Sequence, residues 1–192
     1  MYTHSSALII VDVQNDFCPG GKLGIDNADK VIEPLNRLSS FFASKNGKVI
    51  ATQDWHPADH SSFSSWPSHC VQGTRGADFH EALDLKPVNL IIRKGIRTSI
   101  DSYSAFFEND RKTPTGLDGF LKCFSIDTLV LGGLATDYCV LYSALDAVTL
   151  GYKTIVASDA IRAVNKPAGS EERAFKLLKE AGVLIVESKD IK

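Results

Sequence analysis

The sequence predicts an α/β protein: one domain over residues 1–192, built on a six-stranded parallel sheet flanked by helices on both faces. Three observations carry that expectation. Six short apolar runs rich in β-branched residues recur along the chain, as strands buried on both faces do. Helical patterns, with apolar residues three and four apart, lie between several of them. Glycines stand where helical patterns give way to strands, at positions that want a left-handed residue.

In order, the first strand is Ala7 to Val11, with Asp12 directly after it. A helix follows over Ala28 to Ala43, placing Val31, Leu35, Leu38 and Phe42 on one stripe, and Gly47 closes it. The second strand, Val49 to Gln53, runs into Asp54, and the third, Leu90 to Arg93, into Lys94. After a short helix, Leu117 to Phe124, the fourth strand, Thr128 to Gly133, hands over to a helix from Asp137 to Leu150 with Cys139 in its first turn. The fifth strand, Lys153 to Ala157, a helix over Ala168 to Ala181, and the sixth strand, Val183 to Glu187, complete the alternation, with Gly151 and Gly182 as caps. Two segments stand outside it: Trp55 to Leu85, crowded with Pro, His, Ser and Gly, and Thr98 to Thr115, which holds Tyr103, Phe106 and Phe107. Long irregular segments in compact domains usually carry function.

Composition narrows the classes. A net charge of -2 with interspersed signs leaves no basic block to follow a phosphate backbone or an anionic membrane, so neither nucleic acid nor membrane is an expected partner. No run approaches the ~20 apolar residues of a membrane span, and Met1-Tyr2-Thr3-His4 lacks the order of a signal peptide. A cytoplasmic protein with reduced thiols is expected, because Cys18, Cys70, Cys123 and Cys139 form no C-x-x-C pair. Gly20-Gly21 is followed by no Lys-Ser or Lys-Thr and is read as a turn, not a phosphate loop. Subunit number is not written in the sequence; a homo-oligomer is compatible with it.

The chemistry gathers at the strand ends, where open α/β sheets bind ligands. Cys139 at a helix start is expected to feel the positive end of the helix dipole, which lowers a thiol pKa from about 8.5 and favours the thiolate nucleophile. Asp12 supplies a carboxylate to take the thiol proton, and Lys94 a cation to hold it ionised. Backbone N–H groups of Ala135 and Cys139 are candidates for an oxyanion hole. Asp54 and His56 lie two apart and project to one side of extended chain; with His60 and His69 nearby they offer a carboxylate and imidazoles suited to Zn²⁺, Fe²⁺ or Mn²⁺. Phe17, Trp66 and Tyr103 can hold a flat aromatic substrate. His4 and His80 are read as surface or core residues, and Cys18, Cys70 and Cys123 as inert buried thiols.

Five motifs then carry a family resemblance: Ala7 through Phe17, Asp54-Trp55-His56-Pro57, Trp66-Pro67-Ser68-His69-Cys70, Arg93-Lys94-Gly95, and Gly133 through Val140. Nearly end to end, the chain resembles the nicotinamidase and pyrazinamidase branch of the isochorismatase-like cysteine hydrolases. The resemblance implies a catalytic triad of Asp12, Lys94 and Cys139, and a cis peptide entering Ala135. It also implies one divalent metal, zinc ahead of iron or manganese, held by Asp54, His56 and His69 with His60 ahead of Ser62 as a further ligand. The implied reaction is hydrolysis of nicotinamide to nicotinate and ammonia through a Cys139 thioester, in NAD salvage. Two rivals stand beside it: a metal-independent hydrolase of another small amide, ureido compound or vinyl ether, and a non-catalytic binding module.

Overall fold

Strands form at the runs of β-branched and aliphatic residues. They are β1 (Ser6–Val11), β2 (Lys48–Asp54), β3 (Leu90–Lys94), β4 (Thr128–Leu134), β5 (Lys153–Arg162) and β6 (Leu184–Val186). The computed structural model describes residues 5–192; His4 and the amino-terminal reading lie outside them. All six strands pair in parallel, in the order β3-β2-β1-β4-β5-β6. Every residue of β1 is buried, as a central strand covered on both faces requires.

Side chains alternating along β1 feed two cores. Leu8 and Ile10 join α1 (Ile32–Ser44) through Leu35, Leu38 and Phe42. Ala7, Ile9 and Val11 face the other layer, with α2 (Leu117–Cys123), α3 (Leu141–Thr149) and α4 (Ser170–Glu180), through Leu121, Leu141, Ala144 and Leu178. Each large aliphatic or aromatic side chain so buried contributes roughly 1.5–3 kcal/mol.

Several expected boundaries move: β5 runs on to Arg162 instead of ending at Ala157, and α4 begins at Ser170 instead of Ala168. The pattern from Ala28 breaks into a 3-10 turn, Ala28–Val31, followed by α1, because Pro34 has no N–H for the carbonyl four residues back and its ring crowds that carbonyl. After α1 the left-handed residue is Asn46, at φ +58°, rather than Gly47. Gly47 is needed for space instead, since a Cβ there would stand 3.0 Å from the Phe42 ring and 3.1 Å from the Ser6 carbonyl. The helix expected from Asp137 opens as a wide π turn, Thr136–Val140, before α3. Gly151 and Gly182 do take positive φ, and Gly21 N–H bonds to the Cys18 carbonyl in the expected turn.

The topology fixes where ligands can go. From β1 the chain builds outward through β2 and β3 on one side and through β4, β5 and β6 on the other, so the order reverses between β1 and β4. The crevice beyond the carboxyl ends at such a reversal is where open α/β sheets take ligands. Asp12 leaves β1 on one side of it and the Cys139 turn leaves β4 on the other. The strands approach closely there: a Cβ on Gly133, at φ +124°, would lie 2.1 Å from the Val11 carbonyl oxygen. Gly133→Ala is therefore expected to cost about 3 kcal/mol or more, read as a lower urea midpoint. Unchanged stability would contradict this close approach.

Candidate active site

Strand register lines up the reacting groups. Asp54 of β2 pairs with Lys94 of β3, and β1, which Asp12 directly follows, lies on the other side of β2. Neighbouring strands stand about 4.8 Å apart, so the Lys94 stem crosses the β2 gap and meets Asp12, which reaches out from the end of β1. Lys94 does so while fully buried. Its Nζ donates to Asp54 Oδ1, lies 2.8 Å from Asp12 Oδ2, donates to the Ser102 carbonyl at 2.8 Å and stands 3.4 Å from Cys139 Sγ. Oxygens of Asp12 and Asp54 and the Cys139 sulfur all lie within 4.8 Å of one another.

Protonation in this cluster follows from burial and charge. Burial works against the Lys94 ammonium, but Asp12 and Asp54 hold its pKa well above the usual lysine value. Asp54 is buried too, yet Lys94, His56 and His69 hold its carboxyl well below the ordinary range. Burial raises Asp12, against the pull of Lys94 and with the help of Asp54; Asp12 also accepts from the Thr52 hydroxyl at 2.6 Å. The helix-dipole expectation for Cys139 is overturned. Burial pushes its thiol well above the usual value, with Asp12 and Asp54 adding to the rise and only Lys94 opposing it. The resting residue is a thiol beside a raised carboxylate, so a proton can pass between them.

Beside this cluster, Asp54, His56 and His69 bring one ligand atom each within 4.8 Å of the others. Two carbonyls set the imidazoles. His56 Nδ1–H donates to the Gly95 carbonyl at 2.9 Å and His69 Nδ1–H to the Pro67 carbonyl at 2.7 Å, since a carbonyl can only accept. That leaves both Nε2 lone pairs for a cation. His56 Nε2 is buried without a hydrogen bond, 3.6 Å from Asp54 Oδ2. A buried polar atom without a partner in such a donor set fits a divalent metal. Burial lowers the His69 pKa and keeps it a neutral donor of electrons. Beside Asp54 the carboxylate overcomes burial and raises His56, so positive charge is favoured at that spot. Gly95, at φ +61°, is obligatory, because a Cβ would meet the His56 ring at 2.4 Å.

His60 stands next to this trio rather than in it. Its ring stacks on His56 with centroids 4.1 Å apart, Nδ1 accepts from the Ser62 hydroxyl at 2.7 Å and Nε2–H donates to the Ile100 carbonyl at 3.1 Å. Both nitrogens are therefore engaged, and Ser62 serves His60.

Phe17, Trp66 and Tyr103 line one pocket together with Asp54, His69 and Cys139. Trp66 Nε1–H donates to the Tyr103 hydroxyl at 3.3 Å, and the Phe17 ring lies 5.4 Å from that of His69. Ala135 is also in the wall, behind a cis Leu134–Ala135 peptide, with its carbonyl accepting from Tyr138 and Val140 N–H.

Several further contributors were not singled out, though Gln14 and Tyr138 lie within the motifs named above. Gln14 clamps Asp54, accepting its N–H and donating to its carbonyl, each at 2.8 Å; the signal was a glutamine two residues past Asp12 at a strand end. Tyr138 packs its ring 5.1 Å from Trp66. Asp101, Ile25 and Val164 also reach the wall with no pattern to mark them. Among the other cysteines, Cys18 and Cys70 are buried as expected, burial pushing Cys18 up to about 11. Cys123 is exposed instead, at the last residue of the short α2. His80 lies partly exposed, accepting from Ala82 N–H.

The chain is similar to several known proteins. The isochorismatase domain model matches residues 6–190. The chain is 44% identical to a nicotinamidase of Acinetobacter baylyi, over 98% of this chain and 95% of that one, and 42% identical to one of Escherichia coli, over 93% of each. Among solved structures, a nicotinamidase/pyrazinamidase of Acinetobacter baumanii superposes with TM-score 0.95 at 42% identity over the whole of both chains. A protein from L. infantum in complex with nicotinate gives TM-score 0.91 at 36% identity, covering 98% of this chain and 96% of that one. A pyrazinamidase of Pyrococcus horikoshii in complex with zinc gives 0.86 at 36%, covering 95% and 99%.

Removing the central cation tests the electrostatics. Lys94→Met should cost about 3–5 kcal/mol, because two buried carboxylates are left without their partner. With Lys94 gone, burial raises both carboxyls, so the native state binds protons before the unfolded chain does. The deficit in urea should then shrink as pH falls through the carboxyl range. A pH-independent loss would contradict the assignment.

Proposed function

Because the chain belongs to the isochorismatase domain family, we propose that it is a metal-dependent amidohydrolase that converts nicotinamide to nicotinate and ammonia. The observation that carries this reading is the position of Lys94 Nζ, 2.8 Å from an Asp12 oxygen and 3.4 Å from Cys139 Sγ, with its third partner Asp54 in the Asp54/His56/His69 trio. An acid, a sulfur and a cation site then share one aromatic-walled pocket. The relatives named above act on, or are found with, the same kind of molecule.

The ring of nicotinamide lies among Phe17, Trp66 and Tyr103, which orient the carboxamide toward Cys139. Asp12 takes the thiol proton as sulfur attacks the carboxamide carbon; its raised pKa makes it a better base than a free aspartate. N–H groups of Ala135 and Cys139 receive the developing oxyanion. Asp12 then gives the proton to the leaving nitrogen, which departs as ammonia and leaves a Cys139 thioester. Asp12 next removes a proton from water, the thioester is cleaved, and nicotinate and the Cys139 thiol are released. Lys94 keeps Asp12 oriented and offsets the negative charge that appears and disappears beside it.

Asp54, His56 through Nε2, and His69 would hold the metal, and when bound it supplies a Lewis acid to anchor the pyridine nitrogen. One carboxylate with two imidazoles and open positions suits zinc, as found with the Pyrococcus horikoshii relative; His60 and Ser62 support His56 from behind. The metal-independent alternative lacks a use for a buried, unpartnered His56 Nε2. No helix among the described residues is long and apolar enough to cross a membrane, and four free cysteines fit the reducing cytoplasm, where nicotinate would enter NAD salvage.

Purified protein is expected to release ammonia from nicotinamide. Chelation should abolish turnover and added Zn²⁺ restore it. Cys139→Ala should lower turnover by about 10⁴-fold or more while elemental analysis finds the metal retained, and Asp12→Asn by about 10²–10⁴-fold. Full activity after complete metal removal, or in Cys139→Ala, would contradict the proposal.

A further inference from the structure

Two residues before the nucleophile stands a carboxylate that the proposed reaction does not use. Asp137 is buried and lies in the Thr136–Val140 turn. Its two oxygens gather three donors from one distant stretch of chain: Oδ1 accepts the Val164 N–H at 3.0 Å, and Oδ2 accepts the Asn165 N–H at 2.8 Å and the Ser170 hydroxyl. Residues 163–169 are the irregular connection between β5 and α4. The next residue of the turn holds the same connection, since the Tyr138 hydroxyl donates to the Lys166 carbonyl. On one side Val164 forms part of the pocket wall, beside Ala135, Tyr138 and Cys139. On the other, residues 163–166 border a second cavity of about 460 Å³, shared with Leu23 and Ile25. Open space on that side leaves the bonds from the turn to hold Val164 inward.

We propose that Asp137 is a positioning residue: its carboxylate fixes the backbone of Val164 and Asn165, so that the Val164 side chain closes the pocket wall against the substrate ring. The inference rests on the function proposed above. A carboxylate suits this task because it only accepts, and its two oxygens can take adjacent backbone N–H groups together. Asn165 takes a left-handed backbone, φ +51°, and its side chain accepts the Gly169 N–H at 3.0 Å. The connection is thus closed on itself while Asp137 ties it to the turn that carries Cys139. A wall held in place beforehand need not be ordered when the ring arrives, so the effect belongs to binding rather than to bond making.

The test is a double-mutant cycle on the metal-loaded enzyme: Asp137→Asn, Val164→Ala and the two combined. Asn keeps one acceptor oxygen and turns the other into a donor, which donors of the 164–170 stretch must then face. Each single change should raise KM for nicotinamide about tenfold, with kcat within about threefold of the parent. The combined variant should show a KM rise close to that of one single change, because both act through the same side chain. Amide hydrogen exchange, which needs no turnover, should be at least about tenfold faster at Val164 and Asn165 in Asp137→Asn. KM rises that multiply in the combined variant would overturn the proposal and leave Asp137 a merely structural residue. So would unchanged exchange at the two amides, or a fall in kcat with KM unchanged. If Asp137→Asn does not fold, Val164→Ala decides alone, and an unchanged KM there overturns the proposal. A parent that releases no ammonia from nicotinamide would sink the functional reading instead, while the exchange measurement still reads the Asp137 clamp separately.

Discussion

One buried ammonium holds this molecule's chemistry together. Lys94 carries a full charge where there is no water, so it must be surrounded by groups that satisfy it, and it finds Asp12, Asp54, a carbonyl and a sulfur. Buried pairs of this kind seldom add stability over a well-packed apolar core. What this one supplies is position. Because Lys94 must touch both carboxylates, the ends of three strands are tied to one point, and the Cys139 sulfur across the crevice stands at the same point.

From that constraint the division of labour follows. Asp12 and Asp54 stand on neighbouring strands and both touch Lys94, yet they are held in opposite conditions. Asp12, pushed upward by burial, suits proton transfer; Asp54, held low by Lys94 and the imidazoles, remains an anion. The same logic governs the surroundings. Carbonyls of Gly95 and Pro67 aim the lone pairs of His56 and His69, and Gln14 grips the backbone of Asp54. The sheet contributes the crevice, the lysine gathers the reacting groups, and the loops close an aromatic wall around them.

Much of this was legible in the sequence because strand ends are legible. Apolar runs that stop at Asp12, Asp54 and Lys94, and a cysteine just past the run that ends at Gly133, place four groups on one rim before any coordinates are known. Local exceptions were not legible. Pro34 interrupts a periodic pattern that looks continuous, and Asn46 takes a backbone conformation that the neighbouring Gly47 would have been expected to take. The state of Cys139 was not legible for a deeper reason: a helix start near a sequence position says nothing about desolvation, and burial raises this thiol. His60 was legible as a member of a histidine-rich loop but not as one whose nitrogens are both engaged, since Ile100 lies 40 residues away. Asp101 and Val164 reach the pocket through tertiary folding alone.

In the proposed complex, a metal and the Cys139 sulfur face one small ring from opposite sides. Crystals of Cys139→Ala grown with Zn²⁺ and nicotinamide, with diffraction recorded at the zinc edge, test it most directly. The account predicts an anomalous peak about 2.0–2.2 Å from Asp54, His56 Nε2 and His69 Nε2, the ring between Phe17 and Trp66, and the carboxamide carbon against residue 139 and the Asp12 carboxylate. Zinc bound elsewhere, or nicotinamide with its carboxamide turned away from residue 139, would contradict it.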